Sequence, residues 1–222
     1  MDFFEVRESE IYFRNEGELL KIEGWGENSL RVQSSLMDQI PSGESALLPQ
    51  EERDVKIQVE DMRHASIQNG IIRAELFVQE WGNALQITFR DETGKVLLRE
   101  ISGGGALTRK ARFFQALSGG GYRLKASFEA DPDEKIYGMG QYQQEIWDLK
   151  GCNLELAHRN SQASVPFYLS SEGYGFLWHN PAVGEVHFGK NTTEWVANAA
   201  DKLDYWITAG KTPAQIERQY AE

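Results

Sequence analysis

The stretch ASIQNGIIRAEL, residues Ala65 to Leu76, sets Asn69-Gly70 between two runs of strand-forming residues. A two-residue hairpin turn demands positive φ, which Asn-Gly accommodates. The segment therefore predicts an antiparallel hairpin turning at Asn69-Gly70. The same grammar extends in both directions. Upstream, Lys56-Ile57-Gln58-Val59-Glu60 alternates apolar and polar side chains, the period of a strand with one buried face. Downstream, Leu85-Gln86-Ile87-Thr88-Phe89-Arg90 alternates too, and Asp91-Glu92-Thr93-Gly94 reads as a loop leading to a partner strand over Lys95–Arg99. Tyr122–Phe128, Cys152–Leu156 and Lys202–Ile207 repeat the pattern, and Gly173 splits Phe167–Ser171 from Tyr174–Trp178.

Roughly fourteen strand candidates follow at the short spacing of β-sandwiches. An open twisted sheet of that width tends to split into two packed layers. The predicted fold class is all-β, a large two-sheet antiparallel sandwich. Gly103-Gly104-Gly105 and Gly119-Gly120-Gly121 read as loops, and residues 40–53, with Pro41, Pro49 and Glu51-Glu52, as a long surface loop. One short C-terminal helix is expected. Thr212 suits its N-cap, Pro213 its first position and Gln215 a capping box, while Ile216 and Tyr220 share a face. No Gly or Pro stop precedes Glu222, so the helix is expected to open a longer segment.

A chain of 222 residues buries a core without disulfide or metal staples. Its hydrophobic share of 41% is that of an ordinary globular protein, and an aromatic share of 11% fills a sandwich with rings to spare. The net charge of −11 repels phosphate, which argues against nucleic acid and against an anionic membrane surface. No run approaches the roughly 18 apolar residues of a membrane span. The N-terminal MDFFEVRESE lacks the basic and apolar regions of a signal peptide. The compartment stays open: the cytoplasm, or the periplasm or exterior if a leader has been removed. The lone Cys152 forms no internal disulfide.

Familiar catalytic patterns fail. Gly138-x-Gly140 is followed by Gln143 where a dinucleotide site needs Gly. Cys152 and His158 invite a thiol–imidazole pair, but a small core residue and a loop His is the plainer reading. Glu185 and His187 share a strand face with His179 across a turn, yet the spacing is not that of a metal site, and no metal is assigned. Trp147-Asp148 puts a carboxylate beside a ring; an exposed Asp ending a strand is the plainer account. Tyr174, Phe176 and Trp178 place three rings on one strand face, which reads as core or a domain interface before a sugar platform.

Four blocks, in order, resemble one family. Glu134–Gln141 (EKIYGMGQ), Arg159-Asn160-Ser161, Val165–Tyr168 (VPFY) and Gly173–Pro181 (GYGFLWHNP) are similar to the N-terminal domain of glycoside hydrolase family 31, the family of α-glucosidases and α-xylosidases. Asn69–Glu100 and Tyr205–Glu222 (YWITAGKTPAQIERQYAE) resemble further parts of it. The resemblance implies a galactose-mutarotase-like β-supersandwich over residues 1–210, with residues 211–222 starting a helical linker to a (β/α)8 catalytic barrel. It implies that the intact enzyme acts on an oligosaccharide through a covalent glycosyl-enzyme, with no metal or organic cofactor. The Asp nucleophile and the Asp acid/base belong to that barrel. No catalytic residue is therefore assigned here, and this chain alone is expected to be inactive.

The resemblance also implies a loop reaching over the barrel's mouth, here between Trp147 and Ser164. Arg159, Asn160 and Trp147 are the candidate substrate-binding residues on that basis. The alternative makes Gln141 and Tyr142 buried framework and Arg159 the partner of a carboxylate. The short, cysteine-bearing stretch from Trp147 to Asn160 favours an α-xylosidase or a related oligosaccharide activity. Two other classes stay open. A free-standing aldose epimerase needs His and Glu at one pocket, whereas His64, His158, His179 and His187 are scattered along the chain. A non-catalytic carbohydrate-binding module is the other. Homo-oligomerisation is also left open.

Overall fold

The computed structural model describes residues 3–42, 46–50, 54–103 and 110–222. The loop expectations for Glu51-Glu52 and Gly104-Gly105 lie outside them. β1 (Phe4–Arg7), β2 (Glu10–Asn15), β3 (Glu18–Gly24) and β4 (Ser29–Ser35) form an antiparallel meander. β5 (Lys56–Val59), β6 (His64–Asn69), β7 (Ile72–Val78), β8 (Leu85–Arg90) and β9 (Val96–Arg99) form a sheet in chain order. Then come β10 (Arg112–Ala116), β11 (Tyr122–Glu129), β12 (Ile136–Gln141), β13 (Asn153–Leu156), β14 (Ala163–Ser170), β15 (Tyr174–Trp178), β16 (Gly184–Phe188), β17 (Thr192–Ala200), β18 (Leu203–Ala209) and the helix α1 (Pro213–Ala221). Among the described residues no helix is long and apolar enough to cross a membrane.

One layer is an eight-stranded sheet ordered β1-β2-β3-β4-β18-β15-β14-β12. The opposing layer comprises two five-stranded sheets, β5 to β9 and β10-β11-β17-β16-β13. They join where Glu100 bridges Phe128 and the Ile101 amide donates to the Ser127 carbonyl at 3.1 Å. The result is the expected antiparallel supersandwich with a short C-terminal helix, its second layer divided in two. Strands quoted from alternation recur within a residue or two at either end, except that β14 begins earlier, at Ala163.

Rings from both layers interlock at the centre. Phe176 lies 5.5 Å from Phe128 and 5.3 Å from Trp195, and Trp178 lies 5.8 Å from Trp195, centroid to centroid. Tyr174, Phe176 and Trp178 are fully buried, so their shared face is core. Burying each such ring contributes on the order of 2–3 kcal/mol.

The first hairpin differs from expectation by one residue. Asn69 pairs with Ile72, so the turn residues are Gly70-Ile71. Gly70 alone takes positive φ, +57°, as a turn with Gly at its first central position requires. Asn69 belongs to the strand, where its Nδ2 donates to the carbonyls of Gly26 at 2.8 Å and Ser29 at 2.7 Å. Asn28 returns the contact, its Oδ1 accepting from the Ile71 amide at 3.0 Å.

Two buried charge clusters support the sheets, the first across the layers and the second between neighbouring strands of the eight-stranded sheet. Arg112 donates to Glu100 and Glu18, and all three lie in the interior or at its margin. Burial pushes the Glu100 carboxyl up. Burial acts the same way on Glu18, but the Arg112 charge outweighs it and holds Glu18 below the usual range. Arg31 forks onto Asp204 at 3.0 and 2.7 Å, and Gln33 donates to the same carboxylate at 2.8 Å. These bonds allow the polar strand β4 to be buried along its whole length.

Candidate functional site

β12 is the last strand of the eight-stranded sheet, and β13 is the last strand of a sheet in the other layer. The chain between them, residues 142–152, crosses from layer to layer at an open edge. It begins at a sharp bulge. Gly138, Met139 and Gly140 take φ of +116°, +68° and +88°, and the register against β14 shifts between the two glycines. A Cβ on Gly138 would lie 2.8 Å from the Phe167 carbonyl oxygen, and one on Gly140 2.3 Å from that of Ala163. Only glycine fits such an approach. Met139, between them, points into the core and is fully buried.

The bulge delivers Tyr142, whose hydroxyl donates to the Glu155 carbonyl at 3.0 Å and lies 3.0 Å from Ser164 Oγ. Tyr142 is half-buried framework, whereas Gln141 is exposed. Asp148 pins the far end of the crossing. It accepts from the amides of Ile136 and Lys150, each at 3.1 Å, and from Lys135 Nζ at 3.1 Å. Partial burial acts to raise its pKa, but these donors outweigh it and hold the carboxyl below the usual range. Asp148 is thus a loop anchor. Lys150 adds a buried pair with Glu134 at 2.9 Å, and Glu134 also accepts from Ser170 and Tyr174, each at 2.6 Å. Trp147 stands 88% exposed on this anchored loop.

Arg159 and Asn160 lie on a neighbouring tight turn, closed by backbone bonds between Arg159 and Gln162 at 3.2 and 3.0 Å. The turn carries Ser161 at φ +65°. Both Arg159 and Asn160 are exposed. Arg159 forks onto Glu155, with Nε to Oε2 at 2.8 Å and Nη2 to Oε1 at 2.6 Å. The hydrogen bond it donates to Glu155 raises the guanidinium pKa further, so the group stays a cation. The structure therefore brings Tyr142, Glu155 and Arg159 together on one polar rim. Among the described residues no hydrogen bond or ion pair joins Trp147 to Arg159 or Asn160.

The other candidates are dispersed. Cys152 packs against the core, while His158 Nδ1 accepts from the Ser164 amide at 3.4 Å. Glu185 faces Arg123, His187 contacts Asn153, and His179 lies on the opposite face of the eight-stranded sheet's layer from them, beside Asn180 and Trp206. Burial holds the His179 pKa below its usual value.

Sequence reading missed a second feature, a groove of about 600 Å³ on the outer face of the eight-stranded sheet. Leu177, Trp206, Trp25 and Tyr220 are among its walls. Ile216 of α1 is 2% exposed against Phe167, Leu177 and Trp206, and Tyr220 stacks on Phe167. One signal was available: alternation puts Leu177 on the β15 face opposite Phe176.

Residues 19–186 match the model of the glycosyl hydrolase 31 N-terminal galactose mutarotase-like domain. This chain belongs to glycosyl hydrolase family 31. The family 31 domain is 44% identical, over 96% of its length, to the uncharacterised family 31 glucosidase ORF2 of Pseudescherichia vulneris, of which it covers 42%. A stretch covering 42% of it is 36% identical to α-xylosidase A of Aspergillus niger and covers 13% of that protein. It superposes with a TM-score of 0.90 and 44% identity on a family 31 α-xylosidase from a soil metagenome, solved with xylose. That match takes in 98% of the family 31 domain and 34% of the xylosidase. The domain thus spans less than half the length of these relatives.

Proposed function

We propose that this chain is the N-terminal domain of a retaining α-glycosidase of the α-xylosidase or α-glucosidase type. The observation that carries the reading is the 44% identity over 98% of the chain to an α-xylosidase almost three times its length. In this reading the sandwich, residues 1–210, packs on a catalytic barrel, and residues 211–222 lead towards it. Two barrel carboxylates about 5–5.5 Å apart perform the covalent chemistry.

The domain contributes shape and polarity to the substrate pocket. Asp148 and the Glu134–Lys150 pair fix the crossing loop, so Trp147 is offered as a positioned ring for a sugar's apolar face. Arg159, held in one direction by Glu155, and Asn160 offer donors to sugar hydroxyls. Glu155 leaves part of the guanidinium facing solvent, since the Arg159 side chain is 60% exposed. The loop between Trp147 and Asn160 favours xylosides over glucosides in this proposal.

The test is hydrolysis of 4-nitrophenyl α-xyloside and α-glucoside by the full-length parent and by this chain. The parent is expected to cleave with net retention of configuration, and this chain to be inert. Turnover by this chain alone overturns the proposal. So does acceleration of glucose mutarotation, which marks an epimerase, or micromolar oligosaccharide binding by this chain, which marks a binding module.

A further inference from the structure

The Tyr142 hydroxyl joins the crossing loop that carries Trp147 to the turn that carries Arg159. It donates to the Glu155 carbonyl at 3.0 Å and lies 3.0 Å from Ser164 Oγ. A carbonyl oxygen only accepts, so the phenol's single proton goes to Glu155 and the Ser164 hydroxyl donates to Tyr142. Burial raises the Tyr142 pKa, against the Ser164 bond that lowers it, so the hydroxyl keeps that proton. Among the described residues, these are the only hydrogen bonds between residues 142–152 and residues 153–164.

Three elements meet at that oxygen. Tyr142 follows directly on the bulged strand β12, Ser164 is buried in β14, and Glu155 lies in β13 of the opposite layer. β13 is an end strand, paired with β16 only. The bonds that shape the Arg159 turn are internal to it: the backbone pair between Arg159 and Gln162, and Gln162 Nε2 to the Ala157 carbonyl at 3.0 Å. They fix the turn's shape but not its placement against the crossing loop. Glu155 supplies that placement, because its carbonyl takes the Tyr142 bond while its carboxylate takes the Arg159 fork. Ser164 adds a second path, its amide donating to His158 Nδ1 beside Arg159 at 3.4 Å.

We propose that Tyr142 is a positioning residue: its hydroxyl sets the Glu155–Arg159 fork, and with it the guanidinium's approach to the sugar, relative to Trp147. This rests on the reading above, in which Arg159 meets substrate in the full-length parent. Tyr142→Phe removes the hydroxyl and keeps the ring that packs against the core. In the parent it is expected to raise KM for 4-nitrophenyl α-xyloside about two- to tenfold, the worth of one neutral hydrogen bond, with kcat within about twofold. In an Arg159→Ala background the same change is expected to add nothing, since two residues acting through one contact are not additive. In this chain, Tyr142→Phe is expected to speed hydrogen exchange at the Arg159 and Gln162 amides. The Leu149 amide, held to the Ile136 carbonyl at 2.8 Å, is the control and is expected not to change.

A loss in kcat with KM unchanged, or effects of Tyr142→Phe and Arg159→Ala that simply add, makes Tyr142 a general structural residue and overturns the proposal. So does faster exchange at Leu149 as well as at the turn, which marks global loosening. Arg159→Ala raising KM while Tyr142→Phe is silent refutes this inference alone. A silent Arg159→Ala overturns both this inference and the substrate role given to Arg159. An inert parent refutes the glycosidase reading, and the exchange rates of this chain then decide by themselves whether Tyr142 holds the Arg159 turn.

Discussion

Asn69 of β6 donates its side-chain amide to the Ser29 carbonyl at the start of β4, 2.7 Å away, and so ties one layer of the sandwich to the other. The same nitrogen reaches the Gly26 carbonyl. An Asp at this position keeps the shape and would serve a hairpin turn equally well. It has no donor, however, and would face two carbonyl oxygens. Asn69→Asp is therefore expected to destabilise the domain by about 1–3 kcal/mol, read as a lower urea midpoint with an unchanged slope.

Arg112 sits between two carboxylates whose other hydrogen bonds come from neutral donors, Ser34 Oγ to Glu18 and the Ile87 amide to Glu100. Arg112→Leu leaves Glu100 and Glu18 buried without their cation, and a loss of about 3–5 kcal/mol is expected. Combining it with Glu100→Gln is expected to recover part of that loss. Urea unfolding of the single and double variants measures both.

The bulge in β12 tolerates no side chain at Gly140. Gly140→Ala forces a Cβ to within 2.3 Å of the Ala163 carbonyl oxygen at a φ of +88°. The expected cost is at least about 1–3 kcal/mol, with faster amide exchange along β12 and β14. Unchanged exchange would show that the backbone relaxes freely there.

Asp148 makes the crossing loop sensitive to acid. Its folded pKa lies below its ordinary value of 3.8, so the unfolded loop binds the proton more readily. The anchoring is complete above about pH 4 and is lost as pH falls through the lower folded value. Trp147 fluorescence, isolated by comparison with Trp147→Phe, is expected to report loop release below pH 4. Asp148→Asn is expected to abolish that step.

Arg159 is expected to act on binding and not on chemistry. In the full-length parent, Arg159→Ala is expected to raise KM or change the preferred aglycone, with kcat little altered. Steady-state kinetics on two aglycones decides it; unchanged constants remove Arg159 from the site.

Alternation made β7, β8 and β11 legible because each buries one face in the core, whereas β15 is buried at every position and was marked out by Gly173 and its alternating rings. The polar strand β4 obeys other constraints. Arg31 and Gln33 are buried because Asp204 lies opposite, 173 and 171 residues away in sequence, and no local pattern announces such a partner. The Asn69-Gly70 turn slipped by one because Asn69 serves carbonyls in another layer. Among the candidates, the exposure of Trp147 and the Arg159–Glu155 fork were within reach of sequence reasoning. The outer groove was not. Trp25, Leu177, Trp206 and Tyr220 come from separate segments and meet only once the sheet and α1 are assembled.

The kinked outermost strand also guards the protein against its own copies. A foreign strand extending the eight-stranded sheet past β12 needs a straight row of backbone donors and acceptors. Three successive residues with positive φ break that row midway, so strand addition cannot propagate along it. The glycines that bend β12 towards its loop thereby deny aggregation a template at this border.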